Sequence, residues 1–172
     1  AGILDSSRFK YFLAQELKVP VGNINSLVLG GHGDTMVPMP THTTVNGKPL
    51  IQLIKKEKLD LIIERTRKGG AEIIKFLKRG SAFYAPAASG VEMAESYIKD
   101  LKKTLPCAAY LNGEYETKNL YAGVPVVIGS QGVEKVVEIK LGPQEKKNFE
   151  ISVKAVKELY EIAVKIDPDL KK

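Results

Sequence analysis

The amino-acid sequence predicts an α+β domain, antiparallel hairpins packed with long helices, on three observations. Stretches of helical and of strand period come in blocks and do not alternate strand, helix, strand. Asn46-Gly47, a dipeptide that tolerates positive φ, follows a strand-like run and predicts a β-hairpin. No strand-like run opens into a helix through Gly-x-Gly-x-x-Gly, so this chain does not hold a dinucleotide pyrophosphate in the usual way.

The elements follow in order. Asp5 to Lys18 carries Phe9, Phe12, Leu13 and Leu17 at helical spacing and closes at Val19-Pro20 and Gly22. Ser26 to Leu29 is a short β-prone run ending in Gly30-Gly31, so His32 falls on a loop before extended chain resumes at Met36-Val37-Pro38. Thr41 to Val45 is the strand that leads into Asn46-Gly47. Leu59 to Lys78 has a helical period but contains Gly69-Gly70, which predicts a kink or break unless something packs closely there. Ala87 to Lys103 predicts a helix with Pro86 in its first turn and Val91, Met93, Ala94, Tyr97, Ile98 and Leu101 on its buried side. Strands are expected at Cys107 to Leu111, Pro125 to Ile128 and Val133 to Ile139, with turns at Asn112-Gly113 and Ser130-Gln131-Gly132. Gln144 to Ile166 returns to an amphipathic helix. One domain is therefore expected over residues 1–166, with 167–172 as a frayed tail.

A chain of 172 residues that is 44% hydrophobic and 27% charged can bury one core. Its apolar runs span only a few residues, so no membrane-crossing helix is expected. The lone Cys107 excludes an internal disulfide and points to a reducing, cytoplasmic setting. A net charge of +6 is carried largely by lysines scattered along helical faces, with four arginines and no aromatic platform among them, which argues against nucleic-acid binding. Two histidines and one cysteine do not suffice for a dedicated metal site. The chain begins at Ala1 with no basic-then-apolar leader, and its most chemically suggestive residues fall within the first ten positions. It is expected to be a fragment of a longer polypeptide.

Three residues merit a chemical reading. Asp5 and Arg8 are three apart in a first helical turn, which makes them an ion pair or cap, or else a functional pair. Arg8 is one of only four arginines, and a planar fork suits bidentate carboxylate recognition. His32, flanked by Gly30, Gly31 and Gly33, is either a turn residue or a general acid-base on a loop that a ligand can approach. His42, in a threonine-rich strand, is given no role.

Three separated motifs then carry a resemblance: Ile3-Leu4-Asp5-Ser6-Ser7-Arg8-Phe9, Leu29-Gly30-Gly31-His32-Gly33-Asp34-Thr35-Met36-Val37-Pro38, and Gly80-Ser81-Ala82-Phe83-Tyr84-Ala85-Pro86-Ala87-Ala88-Ser89. In this order they resemble the C-terminal domain of the lactate and malate dehydrogenase family, more closely the malate dehydrogenases of its lactate-dehydrogenase-like group. Leu105 to Tyr115 and Tyr121 to Gly129 are similar too.

The resemblance implies an NAD-dependent interconversion of malate and oxaloacetate, with NAD held mainly by an N-terminal nucleotide-binding domain that this chain does not include. It implies His32 as acid-base, Asp5 as the carboxylate that orients the imidazole, and Arg8 as the grip on the substrate's C1 carboxylate. Ala82 is implied at the substrate pocket and Pro86 at the nicotinamide face. Gly31 and Ala82 favour malate, where lactate enzymes usually carry glutamate and threonine; lactate or another 2-hydroxyacid is the alternative substrate. The family also implies a homodimer or homotetramer, and an isolated oligomerisation module is the alternative from another class. The chain alone is expected to be inactive. Lys55-Lys56-Glu57-Lys58-Leu59 and Pro40-Thr41-His42 depart from the family pattern, at positions that bear on subunit contacts.

Overall fold

The computed structural model describes residues 1–171. Helix α1 (Gly2–Leu17) starts three residues before Asp5, because the Asp5 amide already bonds to the Ala1 carbonyl at 2.9 Å. Asp5 thus lies inside the first turn instead of capping it. The helix stops at Lys18, whose left-handed backbone (φ 55°) precedes Val19-Pro20.

Five short strands follow: β1 (Ile24–Asn25), β2 (Val28–Gly30), β3 (Met36–Pro38), β4 (Thr44–Val45) and β5 (Lys48–Pro49). They form two small antiparallel sheets, β1-β4-β5 and β2-β3. Asn46 and Gly47 both take positive φ, as the sequence predicts for a tight hairpin.

Helix α2 (Lys56–Leu77) runs unbroken through Gly69-Gly70, so the expected break is absent. Two glycines inside a helix cost about 1 kcal/mol each relative to alanine. The reason the helix carries them is a neighbour: the Arg8 side chain lies against both.

Helix α3 (Tyr84–Ile98) starts earlier and stops sooner than its apolar pattern suggests, and its burial corrects the sequence reading. Val91 is 66% exposed, Ile98 77%, and Met93, Ala94, Tyr97 and Leu101 are exposed as well. The buried residue is Ser96, whose hydroxyl donates to the Ile128 carbonyl at 2.7 Å. Apolar spacing signals a face to be covered, and among the described residues this one is covered only in part, with Val91 and Ile98 left mostly open.

The largest sheet is a meander of β6 (Lys103–Asn112), β7 (Lys118–Gly129) and β8 (Gly132–Val136), all antiparallel, with Cys107 opposite Val124. These strands extend past the expected β6 and β7 limits, and β8 ends before the expected Ile139. The β6–β7 turn is longer than Asn112-Gly113 alone, passing through left-handed Tyr115 and Glu116. Helix α4 (Pro143–Ile166) is fastened at its start by Glu145, whose carboxylate accepts from the Gly142 amide at 2.9 Å and from the Thr41 hydroxyl. Residues 168–171 make a short turn, with the Leu170 carbonyl accepting from the Tyr160 hydroxyl at 3.1 Å. Of the expected frayed tail, Lys172 lies outside the described residues.

Two apolar clusters meet at the β2–β3 hairpin. Strand alternation sends Leu29 and Val37 to one, with Val124, Val126 and Phe149, and sends Val28 and Met36 to the other, with Phe9, Leu13 and Leu50. The hairpin is held from both faces. On one side β2 lies so close to β7 that Gly123 has no room for a Cβ beside the Gly30 backbone. Among the described residues no helix is long and apolar enough to cross a membrane.

Candidate active site

The well-anchored hairpin ends in a loop that carries His32. Gly30 (φ 78°) and Gly33 (φ 87°) supply its left-handed positions. The loop is tied at both ends of its reach: the Gly31 amide donates to Ser152 Oγ of α4 at 2.7 Å, and the Met36 amide to the Gly33 carbonyl at 3.1 Å. Helix α1 is tied to the same hairpin, since the Val28 amide donates to Ser6 Oγ and the Ser26 hydroxyl to the Ser6 carbonyl, both at 2.9 Å. Asp5, the residue before Ser6, is thereby brought to His32.

The outcome is a pair 2.9 Å apart, His32 Nδ1 to Asp5 Oδ2. An ionised carboxylate only accepts, so Nδ1 carries the hydrogen in this contact, and in the neutral imidazole the lone pair is then on Nε2. The Asp5 side chain is 2% exposed and the imidazole 53% exposed. One end of the pair is set in the core and the other faces the surface.

Arg8 stands one helical turn along from Asp5, its Nη1 3.7 Å from Asp5 Oδ1 and its side chain 11% exposed. Asp5 Oδ1 and Arg8 Nε are both buried without a hydrogen-bond partner. Buried polar atoms are nearly always satisfied, so two orphans on neighbouring side chains mark this spot for a functional reading. Arg8 also lines a cavity of about 390 Å³ with Ser7, Tyr11, Gly69, Phe76 and Ala85. A larger cavity, about 590 Å³, between Tyr115, Lys146 and Phe149 holds none of the three residues, and the Arg8 cavity holds neither Asp5 nor His32, so the contacts among the three side chains, and not cavity size, single out the site.

Asp5, Arg8 and His32 are thus brought together. Ala82 lies half-buried in the irregular segment before α3, and Pro86 is exposed in the first turn of α3; neither is among the residues lining the Arg8 cavity. At Gly31 a Cβ would stand 2.9 Å from Thr35 Oγ1 and 3.3 Å from Val156, so a side chain there needs its neighbours to move. Among the described residues no group of three His, Cys, Asp or Glu side chains is arranged to hold a metal. Sequence reasoning missed Ser152, which has no local signal on its amphipathic helix. Gly69-Gly70 was visible as an anomaly without its cause.

Comparison with known proteins places the fold in a family. The family described as lactate/malate dehydrogenase, alpha/beta C-terminal domain, matches residues 3–166. A malate dehydrogenase of Pelagibacter ubique (strain HTCC1062) is 63% identical over 177 aligned residues, covering 100% of this chain and 55% of that protein. The structure of the malate dehydrogenase from Salinibacter ruber superposes with a TM-score of 0.94 at 44% identity, over 98% of this chain and 55% of that one. The lactate dehydrogenase from Cryptosporidium parvum, complexed with lactic acid and nicotinamide adenine dinucleotide, gives 0.91 at 42% identity, over 94% and 53%. The chain spans about half the length of each of these relatives. With its motif order, hairpin-borne histidine and full-length match, this chain belongs to the lactate/malate dehydrogenase family, as its alpha/beta C-terminal domain.

Proposed function

We propose that this chain is the substrate-binding and acid-base half of an NAD-dependent malate dehydrogenase. The observation that carries the reading is the Asp5–His32 pair at 2.9 Å with Arg8 beside it. Arg8 grips the C1 carboxylate of malate bidentately through its planar guanidinium and so fixes C2 relative to His32. Nε2 of His32 accepts the C2 hydroxyl proton as hydride leaves C2, and the Asp5 carboxylate favours the imidazolium that results. In the reverse direction the same imidazolium donates to the ketone oxygen of oxaloacetate.

NAD, when bound, supplies the hydride acceptor. The chain lacks a phosphate-cradling glycine turn, so a nucleotide-binding half would hold NAD in the main, with Pro86, exposed in the first turn of α3, as this chain's contact to the nicotinamide. The uncovered apolar residues of α3 also suit association with that half or with a like subunit in a homodimer or homotetramer. Malate is favoured over lactate by Gly31, Ala82 and the 63% identity to a malate dehydrogenase; the similarity to a lactate dehydrogenase keeps pyruvate as the second substrate to assay.

The test is NADH oxidation by the intact polypeptide with oxaloacetate and with pyruvate, alongside a His32→Asn variant. Oxaloacetate turnover that collapses in the variant is expected. Full activity in His32→Asn would sink the mechanism, and a preference for pyruvate would overturn the substrate alone.

A further inference from the structure

We propose that Gly69 is a positioning residue for Arg8: the absence of its side chain is the slot in which the Arg8 stem lies. The inference rests on the reading of Arg8 as the carboxylate grip. Gly69 is buried in the middle of α2 with an ordinary helical backbone, so conformation alone does not call for glycine there. The surroundings do. A Cβ at Gly69 would stand 3.2 Å from Arg8 Cδ, 3.7 Å from Nε and 3.8 Å from the Phe12 ring. Carbon pairs rest at about 3.5 to 4.0 Å, so the stem would have to give way.

The next residue is different. A Cβ at Gly70 would meet Arg8 Nη1 at 3.6 Å and Nη2 at 3.9 Å, ordinary contact distances. The two glycines are adjacent, but only at Gly69 would a methyl group press on Arg8, moving its stem by a few tenths of an ångström.

Arg8 has little freedom to absorb a push. Its Nε makes no hydrogen bond and its ion pair with Asp5 is 3.7 Å long, so packing of the stem, together with that one pair, sets where the guanidinium sits before a substrate arrives. Beyond it, Phe12 is itself covered by the Arg65 guanidinium at 4.2 Å from the ring centre, and Arg65 is held by Glu72 at 2.9 Å. The Arg8 stem is therefore pressed between α1 and α2, and a shift at Cδ is carried out to the fork that must meet both carboxylate oxygens.

The experiment is steady-state NADH oxidation with oxaloacetate by the intact polypeptide, comparing Gly69→Ala, Gly70→Ala, Arg8→Ala and the Gly69→Ala/Arg8→Ala double variant, with thermal melting of each. Gly69→Ala is expected to raise KM by about 10-fold with kcat changed by less than about threefold, since a small misplacement of a positioning group weakens the grip before it affects the chemistry. Its melting midpoint should stay level or rise, because alanine favours the helix. Gly70→Ala should leave KM within about twofold, and Gly69→Ala should add nothing in the Arg8→Ala background. An unchanged KM in Gly69→Ala, where Arg8→Ala raises it, overturns the proposal. So does an effect that persists undiminished without Arg8, or one that comes with a lowered melting midpoint and a matching loss of kcat. An unchanged KM in Arg8→Ala overturns the reading of Arg8, and this proposal with it.

Discussion

The Gly31 amide donates to Ser152 Oγ at 2.7 Å, joining the loop that carries His32 to a helix 121 residues further along the chain. Strand β2 ends only one residue earlier, so this bond sets how far the loop leans from the hairpin. Replacing Ser152 with alanine leaves that amide to water, because the loop is only partly buried. A loss of about 1 kcal/mol is expected in chemical denaturation, together with a fall of several-fold in kcat. Equal stability and equal turnover would show that the tie has no bearing on the loop.

The Asp5 carboxylate faces the inner imidazole nitrogen and leaves the outer one free. An Asp5→Asn side chain keeps the shape but can donate its own N–H to Nδ1, stabilising the tautomer whose outer nitrogen already bears a hydrogen. Malate oxidation by the intact enzyme should fall by about 100-fold or more in kcat, with KM little changed. Wild-type turnover in that variant would remove Asp5 from the mechanism.

Arg8→Lys keeps the charge and loses the fork. A lysine ammonium is a point charge on a flexible stem, so it does not reproduce two parallel bonds to one carboxylate. Loss of one charge-assisted bond is worth about 1.5 to 3 kcal/mol, or about 10- to 100-fold in KM for oxaloacetate. A KM within twofold of the parent's would show that charge alone is sufficient at this position.

Burial pushes the Cys107 thiol from an ordinary 9.0 up to about 11. At pH 8 its thiolate fraction is on the order of 10⁻³, so an exposed-thiol reagent should label it only as fast as the domain opens. The folded state holds this proton where the unfolded chain releases it. The stability it contributes is therefore complete below pH 9 and lost as pH rises toward 11. The stability difference between the parent and Cys107→Ala should be level below pH 9 and shift against the parent above it. Immediate labelling of the native protein at pH 8 would contradict the burial argument.

Much of the fold was legible because local patterns and tertiary packing agree. Phe9, Phe12 and Leu13 mark α1, Asn46-Gly47 makes its hairpin, and Gly30 to Gly33 form the loop around His32. The failures have a common physical origin. Apolar spacing on α3 predicts a covered face, but Val91 and Ile98 are left mostly exposed among the described residues. At α2 the glycine pair suggests a break when considered along its own helix; the neighbour that fills the space, Arg8, comes from a helix some sixty residues earlier. Within the site, proximity of Asp5 to Arg8 follows from helical period, whereas the approach of Asp5 to His32 depends on Ser6 bonding across to β2. No single-segment pattern encodes that bond.

The contact between Gly123 and the Gly30 backbone has a consequence for how variation in this protein would be interpreted. Gly123 lies in the middle of a sheet that bears no reacting group, and its only visible duty is to let β2 come close. Any larger residue must push β2 outward, and the histidine loop begins at the end of that strand. In a saturation scan scored by turnover, position 123 would stand out beside the reacting residues, although no chemical group there meets a substrate. Alanine at 123 should thus produce a folded enzyme with impaired catalysis, a distant origin for what a phenotype alone would assign to the active site.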